Sequence, residues 1–293
     1  MDKRKQAEQR PDSVEEGGGT AALSDREVRE ADRRTNPRAA IVFETVRREG
    51  QQELERPTTS LAFSGLAAGL SMGFSLIATG VIAAALPAKA PWTPLLANLG
   101  YTLGFVIVVM GRQQLFTENT VTAIIPLLDS RRKWSIFGNV VRMWAIVLTT
   151  NLVGAALFAL LVAHTNSFAP PVKAAFLDLG TTALSYGFGT TLVKGLFAGW
   201  LIALMVWLLP AAEHARLAVV IIITYIVGAA GLSHVIAGSV EGFYAVAQGA
   251  VSLHDYIIDF LIPVFIGNCL GGVLLVSILN YAQIAQEGSS PGS

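Results

Sequence analysis

A polar, glycine-led stretch, Gly111-Arg-Gln-Gln-Leu-Phe-Thr-Glu-Asn-Thr-Val-Thr122, interrupts a long apolar run. Leu95–Met110 before it is nearly all apolar. So is Val121–Leu128 after it, up to Asp129 and the basic cluster Arg131, Arg132 and Lys133. In hydrocarbon, backbone that leaves the helix must be buried in protein or line a wet cavity, because lipid offers no hydrogen-bond partner. Polar and ionisable side chains at that depth are costly and mark functional sites. A second interruption, Gly228-Ala-Ala-Gly-Leu-Ser-His234, breaks another apolar run. Two broken helices in matching places of two halves point to a midplane permeation site.

The composition agrees. At 53% hydrophobic, 14% charged and a mean hydropathy of +0.54, the 293-residue chain is too apolar for an ordinary soluble domain. Its overall neutrality hides two regions, since 25 of the 42 Lys, Arg, Asp and Glu residues lie in residues 1–56. Residues 1–56 therefore read as a charged cytoplasmic head, disordered through Glu15-Glu-Gly-Gly-Gly19 and then helical. Ser24-Asp-Arg-Glu27 resembles a capping box, and a second helix is expected from Pro37 to about Glu55. No apolar segment of useful length precedes Leu61, so no cleavable signal is expected. Residues 57–286 read as the membrane domain, and residues 287–293 as an added tail. The lone Cys269 excludes an intramolecular disulfide.

A bilayer core of about 30 Å needs about 20 helical residues. The apolar runs give six spans, at about 59–86, 95–128 (interrupted), 135–163, 190–209, 217–249 (interrupted) and 257–284. Arg131, Arg132, Lys133 and Arg216 fall in connections on the side of the head. Lys89, Lys173, Asp178 and Asp255 fall on the other side, with little basic excess. The positive-inside rule then places both termini in the cytoplasm. Three spans per half is an odd number, so the halves are expected to form an inverted repeat whose middle span is the broken one. The expected class is an all-α membrane protein.

Here a resemblance becomes specific. Leu115-Phe-Thr117 resembles the first-break loop of the formate/nitrite transporter family. Ser233-His-Val-Ile-Ala237 resembles that family's Glu-His-Ser-Ile-Ala motif at the second break. Ile262-Pro-Val-Phe-Ile-Gly-Asn268 with Leu270-Gly-Gly272 is similar to its last span, and Trp200 with Val206-Trp207 to its fourth. The resemblance covers about residues 57–284, and the long head points to a bacterial inner-membrane branch. It implies an aquaporin-like fold, a homopentamer with one pore per protomer, and transport of small monovalent weak-acid anions.

It also implies roles. His234 is the central pore histidine, where a desolvated imidazole and an arriving anion exchange a proton so that the acid crosses neutral. Neutralisation matters, because an unpaired ion in a low-dielectric constriction costs tens of kcal/mol in the idealised limit. Thr117 faces it, or instead caps the second half-helix. The N–H groups at half-helix N-termini are expected to aim at the anion. Tyr101, Leu115, Phe116 and Val227 are the expected constrictions. Asn119 is a polar loop residue, and Asn268 either braces the loop backbone or touches substrate. Arg112 and Glu118 bracket Leu115-Phe-Thr117 and read as a buried ion pair, or Arg112 as an anion attractor. Glu241 lies on the outer half of the pore or at a subunit interface. Arg142 and Lys194 snorkel or pair between protomers. Gly65, Ala67, Ala68, Gly69 and Gly73 permit close helix packing.

Two positions depart from the family pattern. Gly199 stands where relatives carry Asn, and Ser233 where they carry Glu, so formate transport is expected to be poor unless both are restored. A channel for a neutral solute and a membrane scaffold with a partner-binding head are the competing readings. An enzyme is not expected. There is no nucleophile–base motif, no metal spacing among His164, His214, His234 and His254, and no phosphate-binding loop. No cofactor and no nucleic-acid partner are expected; the partners are a small anion, lipid and further copies of the chain.

Overall fold

The computed structural model describes residues 39–130 and 133–287. The expected capping box at Ser24, the basic pair Arg131 and Arg132, and residues 288–293 lie outside the described residues. All the regular structure among the described residues is helical. Five helices are long and apolar enough to cross a membrane: α2 (Thr58–Ala85), α3 (Thr93–Met110), α6 (Lys133–His164, apolar from Trp134), α8 (Phe188–Leu208) and α11 (Leu253–Gln283). Shorter elements complete the order: α1 (Ala39–Glu55), α4 (Phe116–Thr122), α5 (Ile124–Asp129), α7 (Pro170–Ala183), α9 (Arg216–Ala229) and α10 (Val235–Ala247). Apolar side chains remain on the outside, Phe63 being 75% and Leu161 69% exposed, as a lipid-facing surface requires.

Both expected interruptions are present, in the same form. After α3, Gly111 N–H donates to Ile107 O (2.9 Å) and Gln113 N–H to Val108 O (3.0 Å). After α9, Ala230 N–H donates to Ile226 O (3.0 Å) and Leu232 N–H to Val227 O (2.9 Å). Between each pair the chain turns left-handed, at Arg112 (φ 50°) and Gly231 (φ 58°). This is the Schellman way of satisfying the last carbonyls of a helix. Each break spans only five residues, 111–115 and 230–234, and a half-helix follows at once. The polar residues 117–120 are thus helical rather than loop, because α4 buries them against neighbouring helices instead of water.

Close packing inside the protomer explains the glycines. A Cβ at Gly65 would run into Thr150, one at Gly69 into the Asn151 backbone, and one at Gly73 into the Phe158 ring. α2 therefore lies flush on α6. Without a hydrophobic drive between helices in lipid, such backbone proximity supplies the dispersion energy.

Helix α7 was read from the sequence as an outer connection. At 14 residues it is too short to cross, and it begins at Pro170-Pro171. It buries Phe176 edge-on against Phe168 and Tyr244, and lies against α10 and α2.

α1 docks on the membrane helices at the face opposite α7. Val42, Phe43, Val46 and Leu54 are buried, with the Phe43 ring 6.4 Å from Trp207 and 6.0 Å from Tyr281. Four such side chains contribute roughly 6–12 kcal/mol before ordering costs. The exposed pairs of the helix, such as Glu44–Arg48, add at most about 1 kcal/mol each. The apolar face therefore holds α1 in place. Arg142 was expected to snorkel or pair between protomers. It instead donates from Nη2 to the Leu54 (2.8 Å) and Arg56 (3.1 Å) carbonyls, closing the C-terminal end of α1.

Candidate functional site

The two breaks meet at one hydrogen bond. Thr117, on the first turn of α4, lies 2.7 Å through Oγ1 from His234 Nε2, both side chains fully buried. Thr117 does not cap α4; Leu115 occupies that position without a side-chain bond. His234 is itself a cap. Its Nδ1 accepts from the Ile236 and Ala237 N–H groups, both at 3.2 Å. A nitrogen accepting from two N–H groups carries no proton. The neutral imidazole therefore holds its hydrogen on Nε2 and donates it to Thr117 Oγ1. Phe105 meets the ring edge-to-face at 4.9 Å and fixes its plane.

Two asparagines hold the half-helices. Asn268 Oδ1 accepts from Val235 N–H (2.9 Å), while its Nδ2 donates to Gly195 O (2.8 Å) and Ser233 O (3.0 Å). Asn151 Oδ1 accepts from Phe116 N–H (2.9 Å), and its Nδ2 donates to Gly65 O (2.8 Å) and Gln114 O (2.9 Å). Asn268 is thus a brace. The N–H groups of Val235, Ile236 and Ala237 are consumed within the protein. This corrects the expectation that the α10 N-terminus offers them to an anion.

A cavity of about 960 Å³ leads from the connection around Leu86 and Thr93 down to Ser233 and His234. Tyr101, Lys194 and Glu241 also line it, so Glu241 faces the cavity. The Lys194 ammonium sits 3.4 Å from the centre of the Tyr186 ring, a cation–π contact. Leu115, Phe116 and Val227 are fully buried and do not line this cavity. The Phe116 ring packs between Trp144 (5.6 Å) and Phe265 (5.4 Å).

Arg112 and Glu118 do not pair. Arg112 is 77% exposed and reaches Glu49 of α1 at 3.3 Å. Glu118 is turned inward, with Oε1 buried and unpartnered. The left-handed turn at Arg112 swings its side chain away from α4, which separates the two. Asn119 Nδ2 donates to Gln114 Oε1 (3.0 Å), and Gln114 Nε2 donates to Glu53 of α1 (2.8 Å), so the first break is tied to α1 as well. Gly199 abuts the Asn268 backbone and any side chain there would clash. It is a helix crossing, which overturns the expectation that an Asn restored at 199 would equip the pore.

Residues 40–282 match the formate/nitrite transporter family. The chain belongs to this family. It is a membrane transport protein, not an enzyme. It is 38% identical over 253 residues to the Escherichia coli (strain K12) inner membrane protein YfdC, covering 86% of this chain and 81% of that one. A pentameric formate channel with formate bound shares its fold, with a TM-score of 0.63 at 23% identity over 78% of this chain and 97% of that chain. So does a family ion channel, with a TM-score of 0.70 at 19% identity over 84% and 98%.

The sequence reading of this family member missed Asn151, Phe105 and the Gln114–Glu53 tie. A signal for the first existed. Gly65-Leu-Ala-Ala-Gly69 is echoed by Gly195-Leu-Phe-Ala-Gly199, and Asn151-Leu-Val-Gly154 by Asn268-Cys-Leu-Gly271. Those strings supply the two asparagine braces and one of the two carbonyls that each holds, Gly65 O and Gly195 O. Phe105 is one apolar residue among many on α3 and carries no such mark.

Proposed function

We propose that the chain is a channel for small monovalent weak-acid anions, formate- or nitrite-like, in which a proton is exchanged at His234. The Thr117–His234 bond where two broken helices meet, at the foot of an open cavity, carries this reading. We read six crossings, counting α3 with α4–α5 and α9 with α10 as two broken spans. The paired Asn151 and Asn268 braces support an inverted repeat. We read the assembly as five copies, each with its own pore, which the pentameric relative supports, and Tyr101, Leu115, Phe116 and Val227 as constrictions on the family resemblance. Both termini lie in the cytoplasm of a bacterial inner membrane.

The capping bond gives the exchange a condition. Imidazolium forms only if Nδ1 takes a proton, and it then faces the Ile236 and Ala237 N–H groups as a donor. Proton uptake is therefore coupled to loosening the first turn of α10, which costs about 1 kcal/mol for a lost cap. An anion beside the ring offsets that cost. The same bond favours a second reading, a neutral solute that takes the Nε2 hydrogen in place of Thr117 Oγ1 and needs no titration.

The test is uptake of labelled formate, acetate and glycerol into proteoliposomes against pH, for the natural chain and for His234→Asn. Asparagine retains a capping acceptor and removes the imidazole. The expected outcome is formate uptake that rises with acidity and loses that slope in His234→Asn. An unchanged rate and pH profile would refute the exchange; uptake of glycerol alone would favour the neutral-solute reading.

A further inference from the structure

The cavity holds a cation whose charge the chemistry above does not use. Lys194 of α8 lines it together with Ser233 and His234. Its backbone is fixed from two sides. The Lys194 carbonyl accepts from Ser233 N–H at 3.4 Å. The next residue, Gly195, packs on Val264 and gives its carbonyl to Asn268. The side chain then passes over the left-handed turn of the second break, where Nζ stands 3.6 Å from the place a Cβ at Gly231 would take. His234 lies three positions past Gly231, a reach of at most about 11 Å. The ammonium therefore sits at the His234 end of the cavity.

The Tyr186 ring, 3.4 Å away, pins the ammonium without neutralising it. Nζ forms no hydrogen bond or ion pair with any described residue. Ser233 is buried, with its N–H spent on Lys194 and its carbonyl on Asn268, while its hydroxyl has no partner among the described residues. An ammonium and a hydroxyl thus line one end of the cavity with donors and no acceptor. Unspent donors beside a positive charge suit an anionic ligand, whose oxygens only accept. The other titratable groups on the walls are Tyr101, Asp178, Tyr186 and Glu241, and neither carboxyl pairs with Lys194.

We infer that Lys194 Nζ and Ser233 Oγ form an anion subsite at the foot of the cavity, which holds a small carboxylate or oxyanion beside His234 before the proton is exchanged. The inference rests on the reading of this cavity as one half of a weak-acid pathway. It supplies what that reading needs, an anion kept next to the ring while the α10 cap loosens. An anion about 6 Å from an ammonium, at an effective dielectric constant of about 20, is enriched roughly a hundredfold. The carboxyls of Asp178 and Glu241 on the same walls offset part of this, so the net enrichment is nearer tenfold. Tyr186 is a positioning residue, since its ring keeps the charge at the level of the break.

The experiment measures labelled formate uptake into proteoliposomes against formate concentration, at pH 7 and pH 5. Lys194→Met keeps the length of the side chain and removes the charge. It is expected to raise the half-saturating formate concentration about tenfold while keeping the rise of uptake with acidity, which belongs to His234. Lys194→Arg, which keeps the charge, is expected to stay within about threefold of the natural chain. Ser233→Ala leaves the lysine and its ring contact in place and is expected to raise the half-saturating concentration at least threefold, which tests the subsite even if Lys194→Met does not fold. Unchanged half-saturation in Lys194→Met or in Ser233→Ala, with formate carried by the natural chain, overturns the subsite alone. A rise in Lys194→Arg equal to that in Lys194→Met overturns the charge argument. A natural chain that carries no formate overturns the weak-acid pathway and the subsite with it.

Discussion

Replacing Asn268 by Ala removes three hydrogen bonds at one buried point. The Val235 N–H and the Ser233 carbonyl lose their asparagine partner, while the Gly195 carbonyl, inside α8, loses one bond and keeps its helix bond. In soluble proteins each orphaned group costs about 1–3 kcal/mol. Interhelical bonds in membranes average about 0.6 and reach about 1.7 kcal/mol, because the membrane-unfolded chain also finds partners. The lower scale fits here, and three lost bonds then give about 2–5 kcal/mol. At roughly 2–4 °C per kcal/mol for a domain of this size, the thermal midpoint should fall by about 4–20 °C. Asn151→Ala should fall as far, since it makes the same three bonds at the other break. Asn268→Asp should be no better than Ala, because its carboxylate would face two carbonyl oxygens. The assay is tryptophan-fluorescence melting of the purified protein in detergent, with Thr45→Ala as control, whose hydroxyl merely bonds back to Ile41 O on an exposed helix face. If both Ala variants melt within about 2 °C of the natural chain, the braces are decorative and the reasoning fails.

Gly199→Asn should fail to assemble or melt far below the natural chain, because its Cβ meets the Asn268 backbone; a folded variant with raised formate flux would reverse this. Arg112→Gly should not lower the midpoint, since relief of a left-handed arginine, about 1 kcal/mol, offsets the exposed pair to Glu49, whereas Gly231→Ala should cost about 1 kcal/mol; equal effects would refute the turn argument. The guanidinium groups of Arg47 and Arg48 hold Glu44, on α1 outside the membrane helices, down at about 2. A lowered folded pKa adds stability that is complete above about pH 4.5 and is lost as pH falls toward 2. Because the group is exposed the gain is small, about 0.5 kcal/mol, and Glu44→Gln should flatten only the acid limb of the melting profile below pH 4.5.

The membrane character, the two breaks and His234 were legible because each is a local contrast: polar or glycine residues set where lipid allows none. The α1 helix was legible in part. Its extent followed from charge and capping patterns, but not its docking face of Val42, Phe43 and Val46, which only the groove beside Trp207 and Tyr281 makes apolar enough to bury. Arg112 and Glu118 were misjudged because six residues of separation says nothing about direction, and a single left-handed φ sends one outward and the other inward.

Sequence alone determined that this chain enters the membrane, breaks two of its helices, and brings a threonine and a histidine near their breaks. It did so because hydrocarbon admits so few backbone solutions that a polar interruption can be read directly. Tertiary structure alone decided what those groups are free to do. The Nδ1 of His234 is committed to a cap, the first N–H groups of α10 are spent on Asn268 and His234, and Gly199 lies against backbone. Meanwhile Glu241 keeps an open carboxylate on the cavity wall. These are statements about which partners a group has already taken, and residues far apart in the chain become partners only when the helices pack.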